Sequence, residues 1–214
     1  MEPYLWKDWL IAELAEVSRV LSWSINRPGF QIATRVAWLN VQQLPDDVPV
    51  AAWFQQKLDQ DGLADAVGLI TSRALSTFVI ETAVVEGIEA TCIATVGLSN
   101  AERVGERRHT EPLHSGTINI LVNLSAAITQ AAQIEALSIA AQARTAAVMD
   151  FGPANAAGMQ VTGTGTDCIA IAAQAGGGLY CGLHTPCGEA IGRAVYDAVG
   201  QGVREWMKET NRPG

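Results

Sequence analysis

Hydrophobic and polar positions along this chain follow different rhythms in different stretches, and each rhythm predicts an element. Over residues 30–39 they alternate, with Phe30, Ile32, Thr34, Val36 and Trp38 on one face and Gln31, Ala33, Arg35, Ala37 and Leu39 on the other. That period of two predicts a strand. Residues 77–85 and 88–96 are rich in Thr, Val and Ile and flank Glu86-Gly87, which predicts a β-hairpin. A short apolar run at 67–71 and renewed alternation at 117–124 predict two more strands. Residues 159–172 read as a strand interrupted by glycines, and 179–182 as a short one.

Helical spacing governs the rest. Leu5, Trp9, Glu16 and Val20 predict a short amphipathic helix over 5–21, ending before the turn signal Asn26-Arg27-Pro28-Gly29. Residues 50–63 predict a helix closed by Gly62, and 126–149 a long alanine-rich helix suited to close packing. In the last helix Ile191, Ala194, Val195, Ala198, Val199, Val203 and Trp206 form one apolar stripe. Gly188, Gly192 and Gly200 lie on another side of it, where small residues permit close approach to a sheet or a partner chain, so a homo-oligomer is left open. Residues 97–115 form a long polar loop without periodicity. The sum is an α+β or mixed α/β fold over 1–214: a single layered domain, with a mixed sheet, a hairpin-rich N-terminal half and long packing helices.

Composition narrows the function classes. Of 214 residues 49% are hydrophobic, enough to close one core, yet polar side chains break every long apolar stretch. No stretch reaches the roughly 18 apolar residues of a membrane span. The N-terminus lacks the basic and apolar regions of a secretory signal, so a cytoplasmic location is expected. A net charge of -8 opposes attraction to nucleic acid or an anionic membrane surface. The basic cluster Arg103, Arg107, Arg108 and His109 is interleaved with Glu102, Glu106 and Glu111 and reads as a solvated loop, with His109 and His114 exposed.

Cys92, Cys168, Cys181 and Cys187 show no paired spacing, so buried reduced thiols are expected and a disulfide is not. Cys181, His184 and Cys187 recur every three residues and offer zinc two thiolates and an imidazole, with Cys168 or Asp167 as a fourth ligand. Lacking the usual ligand doublets, this triplet is set aside, and no metal site is assigned.

The segment Thr162-Gly163-Thr164-Gly165-Thr166-Asp167 is the densest anomaly. Glycines inside a strand cost stability and are tolerated where something approaches the backbone closely; a simple bulge is the bland alternative. Hydroxyls and N–H groups there suit an anion or oxyanion. A phosphate loop would need Gly-Lys-Ser/Thr, and a dinucleotide fingerprint a third glycine where Cys168 stands. Asp167 suits a general base, a His-orienting group or a cap, and His184 a proton shuttle or a helix-entry residue. Asn100 and Asn119 flank the polar loop as turn and strand residues or as donors to a substrate amide.

Taken in order, Thr95-Val96-Gly97-Leu98-Ser99-Asn100, Gly116-Thr117-Ile118-Asn119-Ile120, the 162–167 segment, Gly182-Leu183-His184-Thr185 and Gly188 resemble the motifs of the adenosylcobinamide amidohydrolases of corrinoid salvage, the CbiZ family. The resemblance runs from about Leu21 to Val203. It implies hydrolysis of the amide that joins aminopropanol to a corrin propionate, a small-molecule corrinoid substrate that carries its own cobalt, and no cofactor of the protein's own. The roles follow from the chemistry of amide hydrolysis and not from the family: His184 is expected as the general acid/base, and Asp167 orients it or activates water. Gly163, Gly165, Thr164 and Thr166 stabilise the oxyanion, and a threonine nucleophile is the alternative. Thr162, Asn100, Thr117, Asn119 and Thr185 complete the substrate site. A corrinoid carrier without catalysis, or a zinc hydrolase of another amide, are the competing classes.

Overall fold

The computed structural model describes residues 1–45, 48–106 and 116–210. Its N-terminus corrects the helix expected over 5–21. Those residues form a tight hairpin, β1 Tyr4–Trp6 and β2 Trp9–Ser22, with Trp6 paired to Trp9 across the turn Lys7-Asp8. Lys7 takes the left-handed conformation there, at φ 52°, without glycine or asparagine to announce it. Trp9, Leu10, Ile11 and Ala12 are all buried, on opposite sides of the strand in turn. Burial on both faces leaves no period to read, and sheet partners on each side outweigh the helix preference of Leu, Ala and Glu.

The alternating segments behave as their spacing predicts. β3 Gly29–Asn40 pairs antiparallel with β2, and β4 Val67–Thr71 runs parallel to β3. Between them lies α1 Val50–Gln60, with Phe54 and Leu58 buried. A single 3-10 turn, Leu75–Thr77, precedes the hairpin β5 Val79–Val85 and β6 Ile88–Val96. Glu86 and Gly87 both have positive φ, 49° and 83°, the geometry that lets a two-residue turn follow the strand twist.

The polar loop contains a two-residue strand, β7 Ala101–Glu102; its segment 107–115, with Arg107, Arg108, His109, Glu111 and His114, lies outside the described residues. β8 Ile118–Ile128 leads directly into α2 Gln130–Phe151, where Thr129 caps the helix by accepting from the Ala132 N–H. The glycine-interrupted stretch splits into β9 Gly163–Thr164, paired with β7, and β10 Cys168–Ala175. Residues 179–182 are not a strand; only Gly178 makes a bridge, to Ile128. α3 Pro186–Thr210 closes the chain.

Among the described residues the main sheet has eight strands, in the order β4-β3-β2-β10-β8-β6-β5, with β1 added beside β2. β8 and β10 alternate cleanly. Ile118, Ile120, Val122, Ile169 and Ile171 face α2 and α3, while Leu121, Ala170 and Ala172 face an inner core with Leu10, Val36, Trp38 and Leu69. α1 covers the far side of β2 and β3 through Phe54 and Leu58 on Trp9 and Leu39. The result is helices, sheet, inner core, folded-over sheet and helix, one layered α+β unit. No helix among the described residues is long and apolar enough to cross a membrane.

The cysteines need a correction. Cys92 and Cys168 are free and buried, but Cys181 and Cys187 are joined as a disulfide with Cα atoms 5.1 Å apart. Both the N–H and the hydroxyl of Thr185 donate to the Gly182 carbonyl, at 3.0 and 2.8 Å, and this turn folds Cys187 back onto Cys181. With both sulfurs bonded to each other, neither is a thiolate for zinc. The closed loop is short, so reducing the bond is expected to cost about 2 kcal/mol of stability. Thermal denaturation with and without reductant, against Cys181→Ala/Cys187→Ala, checks this; an unchanged midpoint contradicts it.

Candidate functional site

The sheet curls until its edge strand β4 reaches β8, which is not its neighbour in the strand order. Asn119 of β8 donates through Nδ2 to the Ile70 carbonyl of β4 at 2.7 Å. The curl encloses a cavity of about 1260 Å³, above the several hundred Å³ usual for small-molecule sites. Trp23, Ile25, Leu69, Ile70 and Trp206 give it apolar walls, and Ser24, Thr71, Asn100, Thr117, Asn119 and Thr166 supply hydroxyls and amides. Arg73 also lines it, in a two-pronged pair with Glu209 of α3.

One wall is three backbone segments knitted together. The Thr162 N–H donates to the Glu102 carbonyl at 2.8 Å, and the Thr162 hydroxyl accepts from the Val104 N–H at 2.7 Å. Thr117 donates from Oγ1 to the Thr166 carbonyl at 2.8 Å, and Thr166 donates from Oγ1 to the Gly116 carbonyl at 3.1 Å. The Gly165 N–H meets the Asn100 carbonyl at 3.3 Å. The Asn100 carboxamide sits over Gly165 on the cavity wall with no hydrogen-bond partner among the described residues.

Asp167 is the knot of this wall. Oδ1 accepts from the Ile118 N–H at 3.0 Å and from the Thr164 hydroxyl, and Oδ2 accepts from the Thr164 N–H at 3.0 Å and from Arg144 Nη1. Its main-chain carbonyl takes the Trp23 indole N–H at 2.7 Å. Burial pushes the Asp167 carboxyl above the ordinary 3.8, and this outweighs the opposing pull of Arg144 and of the bonds from Thr164 and Ile118. The glycine before Thr164 is required by contact: a Cβ on Gly163 would stand 1.9 Å from Arg144 Nη1 and 2.5 Å from Asp167 Oδ2.

The structure therefore brings Thr162, Gly163, Thr164, Gly165, Thr166, Asp167, Asn100, Thr117 and Asn119 into one region. It does not bring His184 or Thr185 there. Thr185 caps α3, accepting from the Gly188 N–H at 3.0 Å, and His184 is exposed beside it. Twenty residues of α3 separate Pro186 from Trp206 on the cavity wall, about 30 Å of helix. Asp167, bound to Arg144, Thr164 and Ile118, makes no bond to His184, so the expected Asp167–His184 pairing is not formed. Reading by sequence also passed over Arg144, Arg73, Trp23 and Trp206. Only Arg144 carried a signal, as the sole basic residue of an alanine-rich helix.

Comparison with known proteins adds a family. The profile of the family described as adenosylcobinamide amidohydrolase matches residues 2–211. An uncharacterised protein of Methanocaldococcus jannaschii is 36% identical over 87 residues, which cover 39% of this chain and 34% of that protein. The chain thus matches about a third of that curated relative's length.

Proposed function

The chain belongs to the adenosylcobinamide amidohydrolase family, and from that premise we propose that it cleaves the amide between a corrin propionate and aminopropanol, giving adenosylcobyric acid. The observation that carries this reading is the cavity itself. It is large, walled by indole and aliphatic groups, and edged with neutral hydroxyls and carboxamides, while its nearby charges, Asp167 with Arg144 and Arg73 with Glu209, are paired. A corrinoid has the same character, an extended apolar ring fringed by neutral amides. Its cobalt belongs to the substrate, and the proposed chemistry uses no cofactor of the protein's own.

Amide hydrolysis requires a base for the attacking oxygen, a donor to the developing oxyanion and a proton for the departing amine. Asp167 is the base in this proposal, and it already accepts the Thr164 hydroxyl hydrogen. The attacking oxygen is Thr164 Oγ1 or a water in its place. The unpartnered Asn100 amide, against Gly165, is the oxyanion donor. The proton Asp167 takes in the first step returns to the amine nitrogen as the C–N bond breaks; where Thr164 is the attacking group, a water deprotonated by Asp167 then hydrolyses the ester left on Oγ1, and the proton returns to Oγ1 as the acid departs. We place the reaction in the cytoplasm, where the buried sulfurs of Cys181 and Cys187 are shielded from thiol attack.

Mass spectrometry of purified protein incubated with adenosylcobinamide tests the function: release of aminopropanol is expected, and tight binding without product would instead favour a carrier. His184→Ala is expected to keep kcat within about twofold, because nothing places the imidazole at the cavity. A loss of a hundredfold in that variant would restore His184 as the proton carrier.

A further inference from the structure

The wall that holds Asp167 is built around a guanidinium from another layer of the molecule. Arg144 reaches from α2, and its Nη1 donates both to Asp167 Oδ2 and, at 3.3 Å, to the Thr162 carbonyl. The two side chains are only 16% and 7% exposed. Arg144 Nε is buried with no partner among the described residues, and Gly163 is stripped of any side chain that would touch the pair. These features cost stability: an unsatisfied buried donor, and an ion pair whose desolvation commonly cancels its attraction. Apolar packing would serve α2 better, so a purely structural role accounts poorly for the arrangement.

We infer that Arg144 is a positioning residue for the proposed hydrolysis: by binding Asp167 Oδ2 it holds the carboxyl group in place and turns Oδ1 toward the Thr164 hydroxyl. The inference rests on the reading of Asp167 as the base. The groups packed on Asp167 from other elements make the electrostatic consequence readable. Thr164, Ile118 and Trp23 contribute uncharged donors, and the Cys168 thiol on β10 is neutral, since burial pushes it up to about 12. Glu102 of β7 pairs by backbone with Gly163. Arg144 is thus the cation that opposes burial.

The experiment is the pH profile of kcat/KM for wild type, Arg144→Gln and Arg144→Lys, with the Asp167 carboxyl titrated by carbon NMR in each. Arg144→Gln is expected to move the acid limb and the Asp167 titration together to higher pH, and to lower kcat/KM at pH 7 about 10²-fold. Arg144→Lys, which keeps the charge, is expected to hold the limb near its original pH even if it is slower. Added guanidinium should recover part of the activity of Arg144→Ala. An acid limb and a carboxyl titration both unmoved in folded Arg144→Gln would overturn the inference. If wild type itself releases no aminopropanol, the proposed hydrolysis fails, whereas the NMR titration still reports whether Arg144 controls Asp167.

Discussion

Asp167→Asn is expected to lower kcat for aminopropanol release about 10²- to 10⁴-fold while changing KM little. The amide fills the same space and still accepts from the Ile118 N–H, so the wall keeps its shape. It has no basic oxygen to take a proton from Thr164 or from water. Arg144 is left with an unpaired charge, so the comparison belongs at a temperature where circular dichroism shows both proteins folded. In wild type the pH dependence has a definite sign. Folding raises the Asp167 carboxyl above its ordinary value, and activity requires the ionised form, so kcat/KM climbs with pH through that raised value. Stability moves the other way. The contribution from Asp167 is fully present below the unfolded value of about 3.8 and is lost as pH rises through the folded one. Full turnover by a folded Asp167→Asn protein would remove Asp167 from the chemistry.

The second large effect is expected from Gly163→Ala. A methyl group there would overlap Arg144 Nη1 and Asp167 Oδ2, so either the guanidinium or the carboxylate must leave its place. Overpacking of this kind costs about 1–3 kcal/mol, roughly a 2–12 °C drop in Tm for a chain of this size. Turnover should fall further than stability does, by about 10²-fold, because the displaced atoms belong to the base. Gly192→Ala in α3 is the control, since its Cβ would meet only Ile139 Cγ2, at 3.9 Å. Equal activity in the two variants would show that the Asp167 geometry is not limiting.

How much of this was legible in the sequence depends on whether a segment had one face in contact or two. Residues 77–85 and 186–210 each present one face to a core, so their periods of two or of 3.6 survive as pattern, whereas 36–39 and 90–96 are buried on both faces and are legible as strands from the alternation before them and from their Thr, Val and Ile content. β2 packs Leu10 and Ala12 inward and Trp9 and Ile11 against α1, and this continuous burial leaves no period of two to oppose the helical spacing of Leu5, Trp9, Glu16 and Val20. The polar wall was legible because glycines at 163 and 165 are expensive in a strand unless closeness requires them, and Gly163 does meet a buried ion pair. Arg144 and Trp23 reach that wall, and Trp206 reaches the same cavity, from positions distant in the chain. Only the curl of the sheet and the direction of α3 bring them there. His184 shows the opposite case. An imidazole in a glycine-rich turn looks chemical, but the structure leaves it exposed before α3, about 30 Å of helix from Trp206 on the cavity wall. The Cys181–Cys187 bond was missed because their six-residue separation matches no recurrent motif, and only the Gly182–Thr185 turn makes them meet.

The most direct measurement of the proposed hydrolysis is a single turnover of adenosylcobinamide in water enriched in oxygen-18, with wild type and Asp167→Asn run side by side. Wild type should yield one aminopropanol per site and adenosylcobyric acid carrying the label in its new carboxylate, while the variant holds the substrate intact. Recovery of unchanged substrate from a tight wild-type complex would contradict it.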